Sequence, residues 1–99
     1  LTAFTAITKS GTVWSYDGHR LQIAPQRGPA HSFKPLFIKG IDRDTIPEEV
    51  TSEHSLLAWI EHEAPNIPVT VGKSIYAIGL REWRLSTPVA EIPFDEAVA

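Results

Sequence analysis

Four histidines, His19, His31, His54 and His62, are the side chains here best suited to proton transfer or metal binding near neutral pH. His54 and His62 fall on one predicted helix, but a spacing of eight residues turns them roughly 80° apart. A metal pair on one helix face needs a spacing of three or four. His62-Glu63 opens the zinc-peptidase pattern H-E-x-x-H, and position 66, which must then be histidine, is Asn66. His19 stands beside Asp17 across a turn, and His31 lies in a proline-containing loop. Both read as surface side chains, so no metal centre and no cofactor is expected.

The other catalytic patterns fail on the residues as well. Gly72-Lys73-Ser74 ends like a phosphate-binding loop, yet position 67, where that loop needs its first glycine, is Ile67. A strand rather than a helix is predicted to follow, which leaves Gly72 as a turn residue. The glycine fingerprint of dinucleotide folds is absent, and the chain is too short to hold that fold. Ser10, Ser15, Ser32 and Ser74 are available, but no nucleophile elbow G-x-S-x-G occurs. The chain has no cysteine, which excludes thiolate nucleophiles, thiolate metal sites and disulfides. Glu61 and Glu63 lie on different faces of the predicted helix, so a working carboxylate pair would need a partner from elsewhere. No catalytic residue is assigned. A small hydrolase or isomerase would require a concave pocket in which a histidine meets a carboxylate or a serine.

Aromatic residues interleaved with arginines carry more information. Trp14 and Tyr16 precede the turn that bears His19 and Arg20, and Trp83 stands between Arg81 and Arg84. Such sets suit stacking on a planar ligand and equally suit a protein interface, where tryptophan, tyrosine and arginine dominate binding energy. Trp14, Tyr16, His19, Arg20, Arg81, Trp83 and Arg84 are therefore the candidate ligand or partner surface. The competing reading packs both tryptophans in the core beneath arginine stems.

The charge distribution bears on the same question. Residues 1–45 carry six Lys/Arg against three Asp, and residues 46–99 carry three against nine Asp/Glu, within a net charge of −3. The split suits self-association between opposite surfaces, or a basic face for an anionic partner, unless folding intermixes the charges. The leading expectation is a non-catalytic protein-interaction module that binds another protein or a second copy of itself as a homodimer. The alternative is a binding domain for nucleic acid or another anionic ligand, using Arg20, Arg27, Lys34, Lys39 and Arg43, with an affinity that falls steeply with salt.

These side chains need a scaffold, and 99 residues suffice for one domain with a single core. Val50, Leu56, Leu57, Ile60 and Ala64 fall within an arc of roughly 120° at helical spacing, with Trp59 on its shoulder. Thr51 or Ser52 offers an N-cap, Glu48, Glu49 and Glu53 complement the dipole, and Pro65 stops the helix. Strands are predicted over 3–8, 12–16 and 19–24, with a type I′ hairpin turn at Asp17-Gly18. Residues 25–32 form a loop, and further strands follow within 33–39, over 67–71 and, longest of all, over 75–85. The expected fold is α+β: an antiparallel, twisted or partly rolled sheet of five to six strands with one amphipathic helix packed on it. Residues 1–87 make up that domain. Residues 88–99 form an extended C-terminal segment, interrupted by Pro88 and Pro93 yet too apolar at Val89, Ile92 and Phe94 to float free. It docks through those three on the domain or on a partner subunit.

No apolar run is long enough to span a membrane. The absence of cysteine and of an opening signal pattern favours a cytoplasmic location. The chain opens at Leu1 and contains no methionine, as a processed or excised product would.

Overall fold

The helical period is realised as α1 (Glu53–His62). Ser52 caps it reciprocally with Ser55: the Ser52 hydroxyl accepts from the Ser55 N–H at 3.1 Å, and the Ser55 hydroxyl accepts from the Ser52 N–H at 3.1 Å. The computed structural model of the protein describes residues 2–98. Around α1 it places eight strands in two antiparallel sheets. The first sheet holds β1 (Phe4–Thr8), β2 (Val13–Tyr16), β3 (Leu21–Ala24), β4 (His31–Phe33) and β8 (Val89–Asp95), in the order β4-β3-β2-β1-β8. The second holds β5 (Phe37–Ile41), β6 (Ser74–Ile78) and β7 (Trp83–Leu85), in that order. The expected α+β class holds, but the single sheet of five to six strands is corrected to two.

The pleat explains the layering. Phe4, Ala6, Trp14, Tyr16, Leu21 and Phe33 point from the first sheet toward Ile38, Ile75 and Ala77 of the second, and together form one core. The alternate side chains of the second sheet, Ile41, Tyr76, Ile78, Trp83 and Leu85, face α1 and form another core with Trp59, Ile60, Leu56 and Leu57. The small sheet is thus buried on both faces, like the central layer of a sandwich.

Four local expectations change. The run expected as one strand over 75–85 is a hairpin: β6 ends at Ile78, the Gly79 N–H donates to the Glu82 carbonyl at 2.7 Å, and β7 starts at Trp83. Gly79 lies so close to Phe33 that an added Cβ would stand 3.0 Å from its ring, and the chain reverses there. The type I′ turn does not form. Gly18 alone takes a positive φ, while Asp17 Oδ1 accepts from the N–H groups of His19 and Arg20, each at 2.8 Å. Those bonds hold the Asp17 carboxyl below its usual range. The strand expected over 67–71 reduces to a single bridge, Gly40 to Ile67, because Pro68 has no N–H to continue it. The loop expected over 25–32 is shorter, since His31 and Ser32 already pair with Ile23 and Gln22 in β4.

Two polar groups lie beneath α1. Lys39 is buried, and its Nζ donates to the Ile60 carbonyl at 2.7 Å, satisfying a free carbonyl near the helix end from outside the helix. Burial lowers the pKa of Lys39 below 10.5. The unfolded chain therefore binds the extra proton between that depressed value and 10.5, so this group makes stability rise with pH through that window. The difference in unfolding free energy between wild type and Lys39→Met is expected to grow as pH approaches 10.5 from below, measured by urea denaturation. A flat difference would refute it. Tyr76 is the second group. Its hydroxyl is buried with no partner among the described residues, and burial, with Glu61 nearby, raises its pKa. Tyr76→Phe removes an unsatisfied hydroxyl without changing shape, and should stabilise the fold by about 1 kcal/mol at neutral pH. A destabilised variant in thermal melts would show that the hydroxyl has a role.

Candidate functional site

The structure separates the residues singled out as a partner surface. Trp14 and Tyr16 belong to the core between the sheets, and the Tyr16 hydroxyl donates to the Gly18 carbonyl at 2.9 Å. Both side chains lie on the inward pleat of β2, and Trp14 reaches the surface only at the floor of a cleft. Trp83 packs beside Tyr76 in the layer under α1, with ring centroids 6.4 Å apart. His19, Arg20, Arg81 and Arg84 are exposed. Arg84 pairs with Glu82 at 3.1 Å, and the same carboxylate oxygen meets His31 Nε2 at 2.6 Å. Val89 is fully buried in the first core, Ile92 is partly buried against it, and Phe94 is exposed.

The basic set loses two members to structural duty. Lys39 is committed to the helix end, and Arg43 donates to the Ser74 hydroxyl at 2.6 Å and the Ser86 carbonyl at 2.9 Å. Arg20 reaches Ser32, while Arg27 and Lys34 are exposed.

Three concavities test the chemistry. Beside α1, His54, His62, Glu49 and Glu63 line a shallow depression of about 390 Å³. No hydrogen bond joins a histidine there to a carboxylate or hydroxyl among the described residues, and the Ser55 hydroxyl is held in the helix cap. Between the sheets on the β7 side, the hydroxyls of Thr8, Ser10, Thr12 and Thr87 form a small network centred on Ser10 Oγ, above Trp14. Among the described residues the Ser10 hydroxyl meets only other hydroxyls, none of which can act as its base.

The third concavity is a groove of about 340 Å³ at the opposite side of the sandwich, lined chiefly by Phe4, Ile38, Pro68, Val69 and Ile92, with Asp95 at its edge. It is built where Phe4 of β1, Ile38 of β5, Ile92 of β8 and residues 68–69 converge. Residues 67–69 form its wall. The Gly40 N–H donates to the Ile67 carbonyl at 2.8 Å, and an added Cβ on Gly40 would stand 2.3 Å from the Pro68 carbonyl oxygen. Only glycine lets that wall sit so near β5. Around the edge of β8 the apolar surface continues to Phe94, 46% exposed, and Val98, 82% exposed.

The rim is acidic. Residues 88–99 carry Glu91, Asp95 and Glu96 and no Lys or Arg. Glu96 Oε2 accepts from the Ala3 N–H at 2.8 Å, and Asp95 Oδ1 accepts from the Ala97 N–H at 2.9 Å, which fixes both carboxylates near the groove. The free edge of β8 is poorly shaped for strand addition. Its pairing with β1 shifts register twice, and Pro93 removes a donor. Side-chain insertion, not main-chain pairing, is what this surface offers.

Of the groove residues, sequence reasoning singled out only Ile92, with Phe94 at the rim. Phe4, Ile38 and Val69 read as ordinary strand residues, and no local signal distinguishes them, since the groove joins four separate segments. No protein-family model, no curated protein and no solved structure matches this chain.

Proposed function

We propose that this chain is a small non-catalytic protein-binding module whose β8 side takes up an apolar side chain from a partner segment flanked by basic residues. The observation that supports this reading is the groove itself. Its walls are aliphatic and aromatic, its volume of about 340 Å³ lies at the low end of the roughly 300–1,000 Å³ typical of binding pockets, and its rim is negative. An apolar anchor would gain burial, while Lys or Arg beside it would meet Asp95 and Glu96. The anionic-ligand reading is weaker, because Lys39 and Arg43 are held by the fold.

Titration of the isotope-labelled chain with a short peptide, leucine and phenylalanine between arginines, tests the reading by amide chemical shifts. Shifts are expected at Phe4, Ile38, Val69 and Ile92, and are expected to vanish for the same apolar pair between glutamates. No response to either peptide, or shifts confined to the histidine-lined depression beside α1, would sink it.

A further inference from the structure

We infer that the partner of this groove is a second copy of the chain, which presents its β6–β7 turn, so that copies associate head to tail. This deepens the protein-binding reading above and rests on it.

The turn, Gly79–Glu82, carries the most exposed large apolar side chain on the described surface, Leu80, at 88%. Leu36, 62% exposed, stands beside it, because the Leu36 N–H donates to the Ile78 carbonyl at 2.7 Å and so continues the β5–β6 ladder toward the turn. Leu80 at the hairpin tip and Leu36 at the adjoining start of β5 put two exposed leucines at one end of the small sheet, an apolar knob a groove can admit.

Charge matches the knob to the groove. Lys34 and Arg81 are exposed within two residues of the leucines in the chain, and Gly79 packs against Phe33 and the Lys34 carbonyl, which brings the end of β4 to the turn. The carboxylate there, Glu82, is taken up by His31 and Arg84, and neither Lys34 nor Arg81 pairs with a carboxylate among the described residues. The groove offers the opposite sign at Asp95 and Glu96 and carries no cation along β8.

Position makes the contact heterologous. Asp95, Phe4, Tyr16, Leu21 and Phe33 occupy one cross-strand row of the five-stranded sheet. Asp95 at the groove and Phe33 beside the turn are thus four strand spacings, roughly 19 Å, apart, while Leu36 is two residues along the chain from the groove residue Ile38. Two different patches generate a ring if the rotation closes and a filament if it does not, rather than a two-fold dimer.

Sedimentation of the full chain, from micromolar to millimolar concentration and at low and high salt, tests this with two surface variants. Leu80→Glu destroys the knob and leaves the groove; Ala97→Arg, at an exposed position lining the groove, blocks the groove and leaves the knob. Wild type is expected to associate beyond a dimer, less so at high salt. Each variant alone should lose affinity by roughly thirtyfold or more. The equimolar mixture should recover a one-to-one complex, because each variant keeps the surface the other lacks. A wild type that stays monomeric at millimolar concentration overturns the inference, as does a mixture that stays monomeric. If the groove still answers the arginine-flanked peptide in that case, the binding-module reading survives and only the identity of the partner is wrong.

Discussion

Trp14→Ala should lower the unfolding free energy by about 3–5 kcal/mol, the largest loss expected from any single substitution in this chain. Trp14 is 3% exposed and stands between Ala6 of β1 and Ile23 of β3 in the cross-strand register. It fills the first core from the middle of the five-stranded sheet and floors the hydroxyl-lined cleft on the β7 side. Its neighbours there cannot collapse into the vacated volume, because Ala6 is small and the sheet backbone is fixed by pairing on both sides. A chain of this size has a total stability of about 5–15 kcal/mol, so the variant should be largely unfolded in modest urea. Far-ultraviolet circular dichroism through a urea titration reads the effect without depending on the lost indole. A loss below 1 kcal/mol would mean that the first core is not closed by Trp14 as described.

Ile60→Ala tests the other core, with an expected loss of about 2–5 kcal/mol. Ile60 is fully buried beneath α1 against Ile41 and Tyr76. Its carbonyl receives the Lys39 amine, so loosening the helix also strands a buried cation. The damage should therefore be uneven. Hydrogen exchange in native conditions is expected to accelerate most in α1 and least in β1–β3, whose amides pair within a sheet that α1 does not touch. Equal acceleration everywhere would show that the two cores open as one unit.

Much of the scaffold was legible in the residues. Ser52 and Pro65 bracket the only strong helical period, and α1 ends three residues before that proline. Leu21 and Ile23 alternate with Gln22, and β3 follows that alternation. Other features were hidden for identifiable reasons. Tyr76, Ile78 and Leu80 alternate as smoothly as a continuous strand, and the chain turns after Ile78 because Gly79 meets Phe33, a contact from 46 residues away in sequence. Trp14, Tyr16 and Trp83 look the same in a sequence whether they serve a partner or a core. Trp14 and Tyr16 were placed by the pleat that faces the second sheet, and Trp83 by the pleat of the second sheet that faces α1.

Composition and short-range pattern determined what this chain lacks and how its segments coil or extend: no thiol chemistry, no intact motif for zinc or phosphate, one capped helix, strands separated by glycine and proline. Those properties follow from bonds and sterics within a few residues. The division into two sheets, the burial of Lys39 under a helix end, and the groove that joins Phe4, Ile38, Val69 and Ile92 were decided only in three dimensions. Each depends on contacts between segments distant in the chain, and the free energy of packing, unlike that of a turn or a cap, is a property of the pair and not of either stretch alone.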